Sequence, residues 1–196
     1  MTTGVKLLPG YETFILAPVI EVNGEPNVIT STGLVPCSTI TSAAINEYQS
    51  ITSTTPTQAG AGGNISCAIL NDMKLGLAAS DTDKSKTLCS KGDTQTPTLY
   101  KFDAEINIVR DASVTATGLY NLAHGLVRAP DAAYAIIHRV KGGKDSTETF
   151  AVGDEVDIYY VWTDNPVPGY GDAKYQDDGV KFISRGWVNI GYSLAA

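Results

Sequence analysis

The sequence predicts a mainly β protein: a β-sandwich with one flanking α-helix and a long extended loop. Three observations predict it. Apolar and polar residues alternate with period two in several segments, as in strands with one buried face. Only one segment repeats its apolar residues at three and four. Strands and helices do not alternate regularly, as they would around a parallel nucleotide-binding sheet. The 196 residues suffice for one sizeable core, with no internal repeat or linker, so residues 1–196 read as a single domain.

Thr13 to Val22 is rich enough in Ile, Val and Leu for a strand, and Pro18 predicts that it lies at an edge or is broken. Pro36 to Asn64 is dominated by Ser, Thr, Ala and Gly and exceeds the usual loop of about 4–6 residues, so it predicts an extended excursion outside the core. Ser66 to Leu77 is the next strand candidate. Lys101 to Ile108 is the clearest: Phe102, Ala104, Ile106 and Ile108 share one side, and Lys101, Asp103, Glu105 and Asn107 the other. Asp111 to Arg128 predicts the helix, capped by Asp111 or Ser113, weakened by Gly118 and Gly125 and ended by Pro130. Tyr134 to Val140 and Asp154 to Thr163 predict hairpin neighbours. Asn165 to Gly179, rich in Pro and Gly, predicts an ordered but irregular stretch. Val180 to Tyr192 is the last strand, with a bend or bulge at Ser184 and Gly186.

The composition excludes several classes. Hydrophobic residues make up 43% and charged residues 18%, against about 25% charged in an average globular protein, so the chain folds. Fourteen Lys and Arg against 21 Asp and Glu give −7, the wrong sign for counterion-release binding to nucleic acid. Apolar runs such as Phe14 to Ala17 and Ala132 to Ile137 fall far short of the roughly 20 residues of a spanning helix, so no membrane partner is expected. The N-terminal residues lack the pattern of a secretory signal, so the chain is expected to stay where it is made. Cys37, Cys67 and Cys89 suit neither a disulfide framework nor a thiolate metal site and read as free, mostly buried thiols.

The search for chemistry returns no catalytic, cofactor-binding or metal-ligating residue. Gly60-Ala61-Gly62-Gly63 lacks the Lys-Ser or Lys-Thr of a phosphate cradle. Asp81 to Ser85 has Lys86 and Gly92 where a calcium loop needs Gly and Glu, and reads as a solvated turn. His124 and His138 share no ligand spacing with another His or Cys and read as structural or surface residues. Asn64-Ile65-Ser66 matches a glycosylation sequon that means little without a secretory signal. Asp103 with Glu105, and Glu155 with Asp157, form carboxylate pairs on strand faces of the kind normally shown to solvent.

Taken in order, the long Ser/Thr/Gly loop, Leu75-Gly76-Leu77, Ser80-Asp81-Thr82-Asp83, Leu88-Cys89-Ser90, Tyr100-Lys101-Phe102-Asp103-Ala104-Glu105, the helix and Tyr159-Tyr160-Val161-Trp162 resemble one family. It is that of the major tail tube proteins of long-tailed, non-contractile, siphovirus-type bacteriophages, especially those infecting actinobacteria. The resemblance implies a structural, non-enzymatic subunit that needs no cofactor and self-assembles into hexameric rings stacked as a tube. DNA would pass through without specific binding, and tape-measure and terminator proteins would be further partners. The implied location is the virion tail, with the host cytoplasm during assembly.

One sheet from each subunit would join its neighbours in an inner barrel of roughly 24 strands, roughly 48 Å across its backbone. Asp103, Glu105, Glu155 and Asp157 are then candidates for an acidic lumen wall. Ala43, Ala44, Ile45, Tyr48, Ile51 and Pro56 are candidates for contacts between rings, within an inter-ring loop of about residues 36–64. Two alternatives stay open: a capsid-decorating or head-tail-joining β-domain, and a carbohydrate-binding sandwich suggested by Trp162, Trp187 and the Tyr-rich C-terminal third.

Overall fold

A computed structural model describes residues 12–51, 53–55, 58–85, 94–111, 117–139, 144–169 and 176–196. Among the described residues ten strands form: β1 (Thr13–Val22), β2 (Glu25–Thr30), β3 (Gly33–Pro36), β4 (Gly63–Asn64), β5 (Lys74–Ser85), β6 (Thr94–Val109), β7 (Ala133–Arg139), β8 (Glu155–Thr163), β9 (Val167–Gly169) and β10 (Asp177–Ser193). The helices are α1 (Ser42–Asn46) and α2 (Leu119–Val127). The strands join in the order β3-β2-β1-β7-β8-β10-β6-β5, with β4 on β1 and β9 on β10. Every named pair is antiparallel.

Two strands turn this one sheet into layers by changing partners along their length. β10 pairs with β6 over Asp177–Lys181 and with β8 from Phe182 onward. β1 pairs with β7 over Thr13–Pro18 and with β2 from Val19. Such corner strands carry a sheet from one layer to the next. Between the layers, Phe14, Leu16, Tyr134, Ile136, Tyr159 and Val161 of β1, β7 and β8 meet Phe102, Ala104, Ile106 and Ile108 of β6. The rings of Phe102 and Tyr159 lie 5.1 Å apart at 58° although β10 separates their strands in the sheet. That contact requires the sheet to curl. α2 adds Ala123, Leu126 and Val127 to the same cluster, and the Tyr134 hydroxyl donates to the Leu126 carbonyl at 3.1 Å.

The alternation read from Phe102 to Ile108 is the alternation observed, and the strands expected from Tyr134 and Asp154 are a neighbouring pair, now β7 from Ala133 and β8 from Glu155. The expected bulge in the last strand is present: the β10–β8 register shifts between Ser184 and Val188, where Gly186 has φ 73°. Pro18 is neither at an edge nor in a break. It marks the changeover from β7 to β2 pairing, where the missing N–H is tolerated.

Other expectations are corrected. Pro36 to Asn64 is not an excursion outside the core. Cys37, Ile40, Ala44, Ile45 and Tyr48 cover the outer side of β1, β7 and β8 in a second cluster with Ile15, Ala17, Ala135, Ile137, Val156 and Ile158. The central strands are therefore buried on both faces. A Cβ on Gly62 would overlap the Leu16 carbonyl oxygen, so glycine is what lets the returning chain lie against β1. Ser66 begins a 3-10 turn rather than a strand, because the Asn64 side chain accepts the Ser66 N–H at 3.1 Å and bends the chain there. Strand β5 starts at Lys74 and runs through Asp81 to Ser85, the stretch read as a turn, by pairing with Thr94–Leu99 of β6.

The helix is shorter than expected, starting after Gly118 and uncapped by Asp111; Ser113 lies outside the described residues. Cys37 is buried and Cys67 exposed, both free, while Cys89 lies outside the described residues.

Candidate functional site

The outer face of β6 carries Lys101, Asp103, Glu105 and Asn107, because Phe102, Ala104, Ile106 and Ile108 point the other way into the core. Across it, β5 sets Lys74 opposite Glu105, Gly76 opposite Asp103 and Ala78 opposite Lys101. On the other side, β10 sets Lys181 opposite Glu105 and Gly179 opposite Asn107. Lys74 Nζ donates to Glu105 Oε2 at 3.0 Å, and Asn107 Nδ2 donates to Asp72 Oδ2 at 2.6 Å. The hydrogen bond to Glu105, then the charges of Glu105, Asp103 and Asp72, hold the Lys74 ammonium above its ordinary range. Asp103 and Glu105 are thus brought together on an open sheet face.

Glu155 and Asp157 are not part of that face. They sit half-buried at the start of β8, on the side that carries Tyr159 and Val161 into the core. Asp157 accepts the Gly191 N–H at 2.8 Å and lies opposite His138 of β7, whose Nε2 is 3.4 Å from Glu12. The four carboxylates therefore fall into two separate groups.

Among the described residues, the strand edges beside the open face lack partners. Over Phe182–Ser193, among the described residues, no strand pairs with the edge of β10 that faces away from β8. Ile183 and Ile190 along it are 43% and 47% exposed. The edge of β6 from Thr94 to Ala104 that faces away from β5 is also unpaired among the described residues, as is the outer edge of β5. Sequence reasoning missed these edges, since they depend on β10 leaving β6 after Lys181.

Of the loop candidates, Ala44, Ile45 and Tyr48 are inside the chain's own core. Thr41 caps α1 by accepting the Ala44 N–H at 3.3 Å. Asn46 and Phe150 exchange hydrogen bonds of 2.9 and 2.8 Å, and the Tyr48 hydroxyl donates to the Ile29 carbonyl. Ala43 is exposed on α1, Ile51 is half-buried, and Pro56 lies outside the described residues.

One buried polar cluster ties α2 to the sheet. Arg110 Nη1 donates to Asp178 Oδ2 at 2.7 Å, and His124 Nε2 lies 3.3 Å from the same oxygen and 3.1 Å from Arg110 Nη1. Burial, then the Arg110 charge, pulls the His124 imidazole below its ordinary 6.5. Burial does the same to His138, against the pull of Glu12 and Asp157. Both rings therefore bind a proton less readily folded than unfolded, and their neutral forms favour the fold. That contribution is complete above pH 6.5 and is lost as pH falls through the folded values. The thermal midpoint should hold steady down to about pH 6.5 and drop as pH falls below it, and replacing both His124 and His138 by Gln should flatten that drop. An unchanged slope in the double variant would assign the drop to other groups.

Among the described residues, no three His, Cys, Asp or Glu side chains gather as a metal site, and no helix is long and apolar enough to cross a membrane. The face of Trp162 is covered by the Arg185 guanidinium at 4.1 Å, and its Nε1 donates to Tyr160 at 3.3 Å, so this aromatic is already engaged within the chain. Compared with known families, the chain matches the model described as phage tail tube protein over residues 39–182. No curated protein matches it.

Proposed function

Since the chain belongs to the phage tail tube protein family, which is structural and not enzymatic, we propose that it is the tube-building subunit of a long, non-contractile tail. Membership implies a virion-tail location, self-assembly and contact with other tail proteins. In the reading proposed here, copies close into hexameric rings through their open strand edges, the rings stack, and the genome passes through the bore without specific binding. Tape-measure and terminator proteins are the proposed tail partners, and assembly takes place in the host cytoplasm.

The observation that carries this reading is the length of edge on β10 and β6 that no described strand pairs. Long unpaired edges invite uncontrolled association, and a closed ring of identical copies satisfies them. The layer β9-β10-β6-β5 offers four strands and an open outer face. About six copies would supply roughly 24 strands, and a barrel roughly 48 Å across its backbone has room for a duplex. In that barrel Asp103 and Glu105 face the bore, while Glu155 and Asp157, turned toward the core of the other layer, do not. Contacts between rings through residues 36–64 would use the exposed rim at Ala43, Glu47 and Ser50.

Replacing Ile183 by Lys tests the edge. A lysine on an exposed strand opposes strand addition but removes no core contact. The isolated variant should keep its stability within about 0.5 kcal/mol, whereas negative-stain microscopy should show tubes from the wild type and none from the variant. Tubes of ordinary length from the variant would remove this edge from assembly, and a wild type that stays monomeric at high concentration with tail nucleation factors would remove the tube.

A further inference from the structure

The open face proposed to line the bore is mixed in charge rather than uniformly acidic. Lys74, Lys101 and Lys181 stand on it with Asp103, Glu105 and Asp177, and Asp72 borders it, held by Asn107. Among the described side chains, three lysines thus stand with four carboxylates, while the whole chain carries −7. Glu105 occupies the middle of a cross-strand row, with Lys74 on one side at 3.0 Å and Lys181 in register on the other. With strands about 4.8 Å apart, the two lysine backbones are roughly 10 Å apart across that single carboxylate. Beside Asp103, Gly76 has only open space where a side chain would stand, so no side chain from that position overhangs the row.

A lysine attracts a phosphate backbone largely because the contact releases counterions condensed on the nucleic acid. Where a carboxylate already sits against the ammonium, a phosphate must displace it and leave a negative group facing the polyanion. We infer that Asp103 and Glu105 mask the lysines of this face from the phosphate backbone of duplex DNA, so that the surface neither holds a passing duplex nor repels it strongly. The inference rests on the tube reading and adds to it the chemistry by which the wall meets its cargo.

The test is the double variant Asp103→Asn with Glu105→Gln in the full chain, run on a duplex-DNA–cellulose column, with microscopy of tubes in parallel. Wild type should flow through at low salt. The variant should be retained, and with three unmasked lysines its affinity should fall about sixfold for each doubling of salt. Adding Lys74→Gln, Lys101→Gln and Lys181→Gln should abolish the retention. Flow-through of the folded double variant, or retention that survives loss of the three lysines, would overturn the masking. Should the double variant misfold, Glu105→Gln alone decides, with weaker retention expected and flow-through overturning the inference. Failure of wild type to form tubes would count against the tube reading alone, because the column result does not depend on assembly.

Discussion

Arg139→Ala is expected to lower unfolding stability by about 3–5 kcal/mol, the range for breaking a buried charge network by removing one partner. The Arg139 side chain is 0% exposed. Its Nη2 donates to Thr13 Oγ1 at 3.1 Å and to the carbonyls of Asp145 and Glu148 at 2.9 and 3.2 Å, and its Nη1 lies 3.5 Å from Asp154. The guanidinium also lies over the Phe150 ring at 4.3 Å. One side chain thus pins the connection between β7 and β8 to the start of β1.

Removing it empties the space its buried side chain fills and takes one donor each from Thr13 Oγ1 and the carbonyls of Asp145 and Glu148. Those two carbonyls keep the Glu148 N–H at 3.0 Å and Gln49 Nε2 at 3.4 Å respectively, while the Asp154 carboxylate keeps Lys144 at 2.7 Å as its remaining cation. Lysine at position 139 retains a charge but not the planar fork, so Arg139→Lys should recover only part of the loss. Urea unfolding of the three proteins measures this. A loss below about 1 kcal/mol for the alanine variant would mean that the cluster is incidental to the fold.

Tyr48→Ala is expected to cost about 3–5 kcal/mol, in the range of a large core side chain truncated to alanine. Its ring is fully buried among the residues that cover β1 and β7, and its hydroxyl donates to the Ile29 carbonyl of β2. Tyr48→Phe, which keeps the ring, should cost about 1 kcal/mol. By the same reasoning, deleting Ala43 to Gly60 should unfold the protein rather than merely stop its assembly, because it removes Ala44, Ile45 and Tyr48 from the second core together. A deletion variant with an unchanged thermal midpoint would restore the view of this segment as an independent loop.

That segment shows where sequence periodicity loses its grip. Cys37, Ile40, Ala44, Ile45 and Tyr48 are scattered through Ser, Thr and Ala, and a helix of one turn and a half such as α1 is too short to display a period. Such a helix is held by its tertiary packing. β6 was legible for the opposite reason: four apolar residues alternate without interruption, and one face of the strand really is open. The β1–β2 hairpin passed unseen although Asn23-Gly24, with φ of 53° and 82°, is a hairpin dipeptide with a stated physical basis.

The two carboxylate pairs looked equivalent in sequence because each alternates with apolar neighbours. They differ because β8 is covered on both sides and β6 on one, a property of the sheet order and not of either strand. The lysines at 74 and 181 were beyond local reading altogether, since only register across β5, β6 and β10 brings them to Glu105.

A cryo-microscopy map of tubes grown from the purified protein measures the arrangement itself. The account predicts backbone from an adjacent copy bonded along Ile183–Ser193 of β10 or Thr94–Ala104 of β6, with Lys74, Asp103, Glu105 and Lys181 turned toward the bore. Tubes in which both edges stay open, or in which that lysine–carboxylate row lies on the outer surface, would contradict it.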